Sequence, residues 1–122
     1  MKGFGKPPRK KKPLEASVEK RSCGFAKAEG VLSRKMNGSG FRAWPDRAFM
    51  PPDMGTPWEP CVPVIWVEFK RVGEDLTPAQ AELQADLVRR GQRVCTVRTL
   101  DEFKQHFFAW MSDDLGLEDY RL

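Results

Sequence analysis

The feature that most constrains this chain is an apolar, β-branched run at residues 63–70, PVIWVEFK, which ends in Glu68 and Lys70. β-Branched and aromatic residues with turn-rich sequence on either side predict a strand. Strand side chains alternate, so Val64, Trp66, Glu68 and Lys70 share one face, and Ile65, Val67 and Phe69 share the other. A carboxylate and an ammonium that enter an apolar strand are costly to bury unless they are paired or bound. Upstream, in WPDRAF, Pro45 pushes Trp44 into extended backbone, which fits a strand entry or a sharp bend before Asp46. If residues 47–50 pair back on residues 63–70, Asp46 lies beside Glu68. Downstream, GEDLTPAQ opens a helix, with Thr77 as N-cap, Pro78 at the first position and Gln80 as the reciprocal capping-box partner.

Two carboxylates and a lysine at one sheet end suit metal-assisted phosphodiester cleavage. Mg²⁺ takes oxygen ligands, keeps several waters and is usually held by one or two carboxylates. Asp46, Glu68 and the backbone carbonyl of Phe69 offer three oxygens, with Mn²⁺ expected to substitute for Mg²⁺. Lys70 can orient the attacking water and offset charge on the phosphate. Taken alone, Glu68 and Lys70 read first as a same-face ion pair, which is worth little. A "PD", a strand ending E-x-K and a helix opening with Gln form a much rarer combination.

That combination resembles the PD-(D/E)-x-K nuclease superfamily and, within it, the virus-type replication-repair nuclease (VRR-NUC) domain. The matching pieces are GFRAWPDRAF and VIWVEFKRVGEDLTPAQAELQADLVRRGQRVCTVRTLDEF, with a looser match around Glu19. The resemblance implies a restriction-endonuclease-like α/β core, a mixed sheet of four or five strands flanked by helices. It implies Asp46, Glu68 and Lys70 as catalytic residues, with Gln80 near the site. It also implies a first-helix carboxylate in the metal shell, for which Glu19 is the choice and Glu15, one turn earlier, the rival. The implied function is a divalent-metal-dependent DNA endonuclease of phage or bacterial cytoplasm, active in repair or recombination. Its implied substrates are four-way junctions or flaps, cut by a homodimer. A sequence-specific restriction-type nuclease and a catalytically inactive binding module of the same fold are the alternatives.

Charge adds a second element. Of 21 basic residues, six (Lys2, Lys6, Arg9, Lys10, Lys11 and Lys12) fall in residues 1–13, which contain no acid. The remainder carries 15 basic and 17 acidic residues, so the basic character belongs to an arm, expected to be disordered and able to hold a polyanion. Lys35, Arg42 and Arg47 are the further candidates for phosphate contact. Three cysteines without C-x-x-C spacing argue against a zinc site or a disulfide scaffold. The sequence has no membrane-length apolar run. One histidine, His106, with no H-E-x-x-H and no G-x-x-x-x-G-K-[ST], excludes zinc-protease and P-loop chemistry.

The remaining pattern predicts a helix over residues 14–29, with Leu14, Val18 and Phe25 buried and Glu15, Glu19 and Ser22 on a common face. A strand at 31–36, a turn at Asn37–Gly40 and a return strand starting at 41–43 follow. The helix from Pro78 is expected to bury Leu83 and Leu87, with Ala79 and Val88 beside them. A core strand at 93–98 and an aromatic helix carrying Phe103, Phe107, Trp110 and Met111 complete a domain over residues 14–112. Residues 113–122 read as an acidic tail that frays. Trp58, Phe108 and Trp110 are the apolar candidates for a dimer contact.

Overall fold

The computed structural model describes residues 13–38, 40, 42–55 and 64–117. The basic arm with Lys10, Lys11 and Lys12 lies outside them, as do Phe41, Trp58 and residues 118–122. The elements run α1 (Pro13–Ala28), β1 (Leu32–Lys35), β2 (Arg47–Met50), β3 (Ile65–Phe69), α2 (Pro78–Arg89), β4 (Arg93–Val97) and α3 (Leu100–Ala109), closed by a π-helical turn at Trp110–Asp114. The four strands form one mixed sheet in sequence order: β1, β2 and β3 pair antiparallel, and β4 joins β3 in parallel through α2. This is the mixed α/β architecture that the strand, helix, strand order implied.

Strand β3 is buried on both faces. Ile65, Val67 and Phe69 enter the main core, where Phe49, Cys95, Val97, Phe103, Phe107, Trp110 and Met111 meet them from β2, β4, α3 and the π-helical turn. Phe103 is the hub of this layer, with its ring 5.2 Å from Phe49, 5.6 Å from Phe107 and 6.3 Å from Phe69. Burial pushes the Cys95 thiol up to about 12, as befits a core residue. On the other face Trp44 leans on Trp66 at 5.5 Å, and Gln84 of α2 donates to Thr96 of β4. Glu68 pairs with Thr96 in the β3–β4 register and so lies on this α2 face.

Four expectations change. The return strand does not start at 41–43: Arg42 and Ala43 lie in a turn, and pairing with β1 begins at Arg47. The turn-forming Asn37–Gly40 segment is followed by Pro45, and an imide nitrogen cannot donate to a ladder. On α2, Leu87 is buried and Leu83 half-buried, but Ala79 and Val88 are exposed, because the helix packs mainly over β4. The chain from Asp113 does not fray at once. Arg93 holds Asp114 through two hydrogen bonds, of 2.6 and 2.9 Å, and Leu115 is buried with its N–H on the Trp110 carbonyl. Trp110 is fully buried, so it is unavailable to a dimer contact. No helix among the described residues is long and apolar enough to cross a membrane.

Because Phe103 packs against rings from β2, β3 and α1, Phe103→Ala should destabilise the fold by about 3–5 kcal/mol. Urea unfolding measures this, and a loss under about 1 kcal/mol would mean that the core collapses around the gap.

Candidate active site

The site lies where β3 ends, beside the entry to β2 and the start of α2. The β2–β3 ladder stops at Arg47↔Val67. One step beyond it, the Asp46 carboxylate replaces the missing backbone acceptor: the Phe69 N–H donates to Asp46 Oδ2 at 2.7 Å. Asn37 donates its side-chain amide to Asp46 Oδ1. The Asp46 backbone carbonyl accepts from Met36 N–H at 2.8 Å. Asp46 is thus held by β1, β2 and β3 together. In extended backbone the N–H and C=O of a residue point to the same side, so the Phe69 carbonyl faces the side on which Asp46 stands.

Glu68 and Lys70 follow the strand alternation onto one face, and the Lys70 N–H extends the parallel ladder to the Val97 carbonyl at 2.9 Å. Both side chains are buried, and Lys70 Nζ lies 4.0 Å from Glu68 Oε2. Gln80 reaches the same carboxylate from α2, with Nε2 donating to Glu68 Oε2 at 3.2 Å. The other end of its amide completes the helix cap: Gln80 Oε1 accepts from Thr77 N–H, and Thr77 Oγ1 accepts from Gln80 N–H. Gln80 therefore caps α2 with its amide oxygen and holds Glu68 with its amide nitrogen.

A cavity of about 510 Å³ collects Asp46, Glu68, Lys70 and Gln80, with Lys35 and Arg42 on its wall. Four predicted site residues and two predicted phosphate contacts thus converge on one opening. Arg47 does not line this cavity. Its Nε donates to Glu19 Oε2 at 2.7 Å and its Nη1 to Ser33 at 3.4 Å. Glu19, chosen above as the first-helix metal ligand, also holds Lys35 at 3.3 Å, so its carboxylate serves two cations. The carboxylate that α1 places on the cavity wall is Glu15, the rival one turn earlier. Helical spacing puts both on the same face, but only the packing of α1 on the sheet decides which one reaches the opening. Asn37 was legible only as a turn former, because the contact with Asp46 exists only once β1 and β2 pair. His106 lies outside the cavity, on α3, where burial and then Arg93 hold its pKa below the usual imidazole range.

Burial raises the Asp46 pKa above the usual carboxylate range. The Phe69 N–H opposes this, the Glu19 charge adds to it, and Lys35 and Asn37 oppose it. A carboxyl whose folded pKa is raised stabilises the fold most below its unfolded value, and that contribution is lost as pH rises through the folded value. Ionised Asp46 therefore costs stability at neutral pH in metal-free protein. Asp46→Asn should raise the melting temperature at pH 7 in chelator, with the gain shrinking toward about pH 3, below the ordinary aspartate value. Calorimetry across that range checks it, and a neutral-pH loss in the variant would show that its hydrogen bonds outweigh the burial.

Compared with known proteins, the chain matches no family model and no curated protein. Among solved structures it is similar to one described as a VRR_NUC domain, with a TM-score of 0.63 and 22% identity over 77% of this chain and 94% of that one. The chain shares the fold of that domain, the mixed α/β fold that the sequence resemblance implied.

Proposed function

We propose that this chain is a divalent-metal-dependent DNA endonuclease that hydrolyses phosphodiester bonds. The observation that carries the reading is the convergence of Asp46, Glu68, Lys70 and Gln80 on one cavity at the end of β3 in a nuclease fold. Among the described residues no three His, Cys, Asp or Glu side chains cluster as a metal cage. Mg²⁺ needs no such cage, since one or two carboxylates and retained waters suffice. Asp46 and Glu68 would hold it, with the Phe69 carbonyl as a third oxygen. Glu15, in place of Glu19, is the helix carboxylate that stands closest to that role. The ion would supply Lewis-acid stabilisation of charge on the phosphoryl group.

The chain's own residues account for the rest. Asn37 and the Phe69 N–H orient Asp46, and Gln80 orients Glu68, so neither carboxylate has to reorganise when charge develops. The Lys70 ammonium faces the cavity and offsets negative charge at the attacked phosphate. Lys35 and Arg42 hold the strand at the rim, and the arm with Lys10, Lys11 and Lys12 adds a polyanion tether. Branched DNA is the proposed substrate class. A homodimer is the proposed acting unit, since two strands require two sites and a two-fold pair supplies them. Light scattering at micromolar concentration tests this assembly.

Lys70→Ala should lower cleavage by about 10²–10³-fold while DNA binding survives, because the ammonium acts on transition-state charge. Cleavage of linear, flapped and four-way DNA with Mg²⁺ and with chelator measures it. Cleavage at the wild-type rate by the variant, or in chelator, would overturn the reading. Deleting residues 1–12 should weaken DNA binding and flatten its salt dependence, with little change in rate at saturating DNA. An unchanged salt slope would assign the arm another role.

A further inference from the structure

A second cavity, of about 240 Å³, adjoins the site and shares Glu15 and Lys70 with it as a partition. Its remaining wall is unlike that of the first. Arg21 from α1, Arg71 from the loop after β3 and Arg98 from the end of β4 supply three guanidinium groups. Val18, Val72 and Leu100 supply an apolar side, and Val72 is 77% exposed. Arg98 is locked in place, with Nη2 donating to the Glu74 carbonyl at 2.7 Å. The side chains of Arg21 and Arg71 form no ion pair or hydrogen bond among the described residues. None of the three arginines stood out in the sequence, because they lie on three separate elements that only the fold brings together.

Three guanidinium groups opposite an apolar wall match a nucleotide: forked donors fit phosphate, and the apolar wall fits a sugar or base. We propose that this cavity is a subsite for the nucleotide flanking the scissile phosphate. Arg21, Arg71 and Arg98 would contact its phosphodiester, and Val18, Val72 and Leu100 its sugar or base. The inference rests on the nuclease reading, which places the scissile phosphate in the first cavity, on the other side of Lys70. The strand would cross the Glu15–Lys70 partition, so the subsite sets the register of the strand at the cut. Arg21 and Arg71 are exposed, so their removal tests binding without disturbing the core, whereas Arg98 also supports the 71–77 loop.

The test is a neutralisation scan. Flapped and four-way DNA carrying one methylphosphonate at successive positions of the cleaved strand is bound to the full chain in Ca²⁺ and followed by anisotropy. Cleavage in Mg²⁺ maps the scissile bond. Wild-type protein should lose about tenfold in affinity when the phosphate flanking that bond is neutralised. Arg21→Gln/Arg71→Gln should bind unmodified DNA more weakly, lower the salt slope by about one unit and lose sensitivity at that flanking position alone. A variant with wild-type affinity, or one that keeps the same position-dependent loss, would overturn the subsite. Absence of wild-type cleavage on linear, flapped and four-way DNA alike would sink the nuclease reading. Position-dependent binding abolished by the arginine changes would still uphold a phosphate subsite, and its absence would remove that as well. Calorimetry of the double variant shows whether it is folded, and Arg71→Lys, which keeps the charge but loses the fork, should restore the salt slope but not the full affinity.

Discussion

The hydrogen bond from the Phe69 N–H to the Asp46 carboxylate is the contact on which the site depends. It replaces a backbone ladder bond where the β2–β3 pairing ends, and so one side chain does the work of a strand residue. Without it the Phe69 N–H would be a buried donor with no acceptor, and such a group costs more than a typical hydrogen bond gains. The same bond fixes one Asp46 oxygen at the level of Glu68 and leaves the carboxylate facing the cavity. Placement of the acid and closure of the sheet are therefore one event.

Burial gives that arrangement its chemical character. Asp46, Glu68 and Lys70 all lie below the surface at the end of an apolar strand, where fixed charges act with less screening than in water. The cost is visible in the raised Asp46 pKa. It is partly offset by Asn37 after β1 and the backbone of β3, while Gln80 at the start of α2 holds Glu68. Gln80 links the local and the tertiary levels, since the amide that caps α2 also holds Glu68. A helix start that was needed for folding thereby delivers a polar group to the cavity.

Cation placement separates the two sides of the site. Glu19 gathers Arg47 and Lys35 into a local network on the α1 side, which limits how much positive charge they present. The arginines around the second cavity carry less compensation, with Glu15 as the carboxylate on its wall. Uncompensated positive charge is accordingly concentrated beside the Glu15–Lys70 partition rather than spread over a body with more acidic than basic residues.

The sequence by itself determined the elements and the chemistry of the strand. Alternation in residues 63–70 put Ile65, Val67 and Phe69 in the core and Glu68 and Lys70 together, because period two is a property of the extended backbone. The Thr77–Pro78–Gln80 cap was equally legible, since its partners lie within one turn. Only the tertiary structure decided which helix carboxylate reaches the cavity, because Glu15 and Glu19 share a face and differ by one turn, and the packing of α1 on the sheet sets which turn stands at the opening. It alone joined Asn37 to Asp46, buried Trp110, and gathered Arg21, Arg71 and Arg98 around one opening. Those contacts join residues far apart in the chain, and no local periodicity encodes a distance that arises only when separate elements pack.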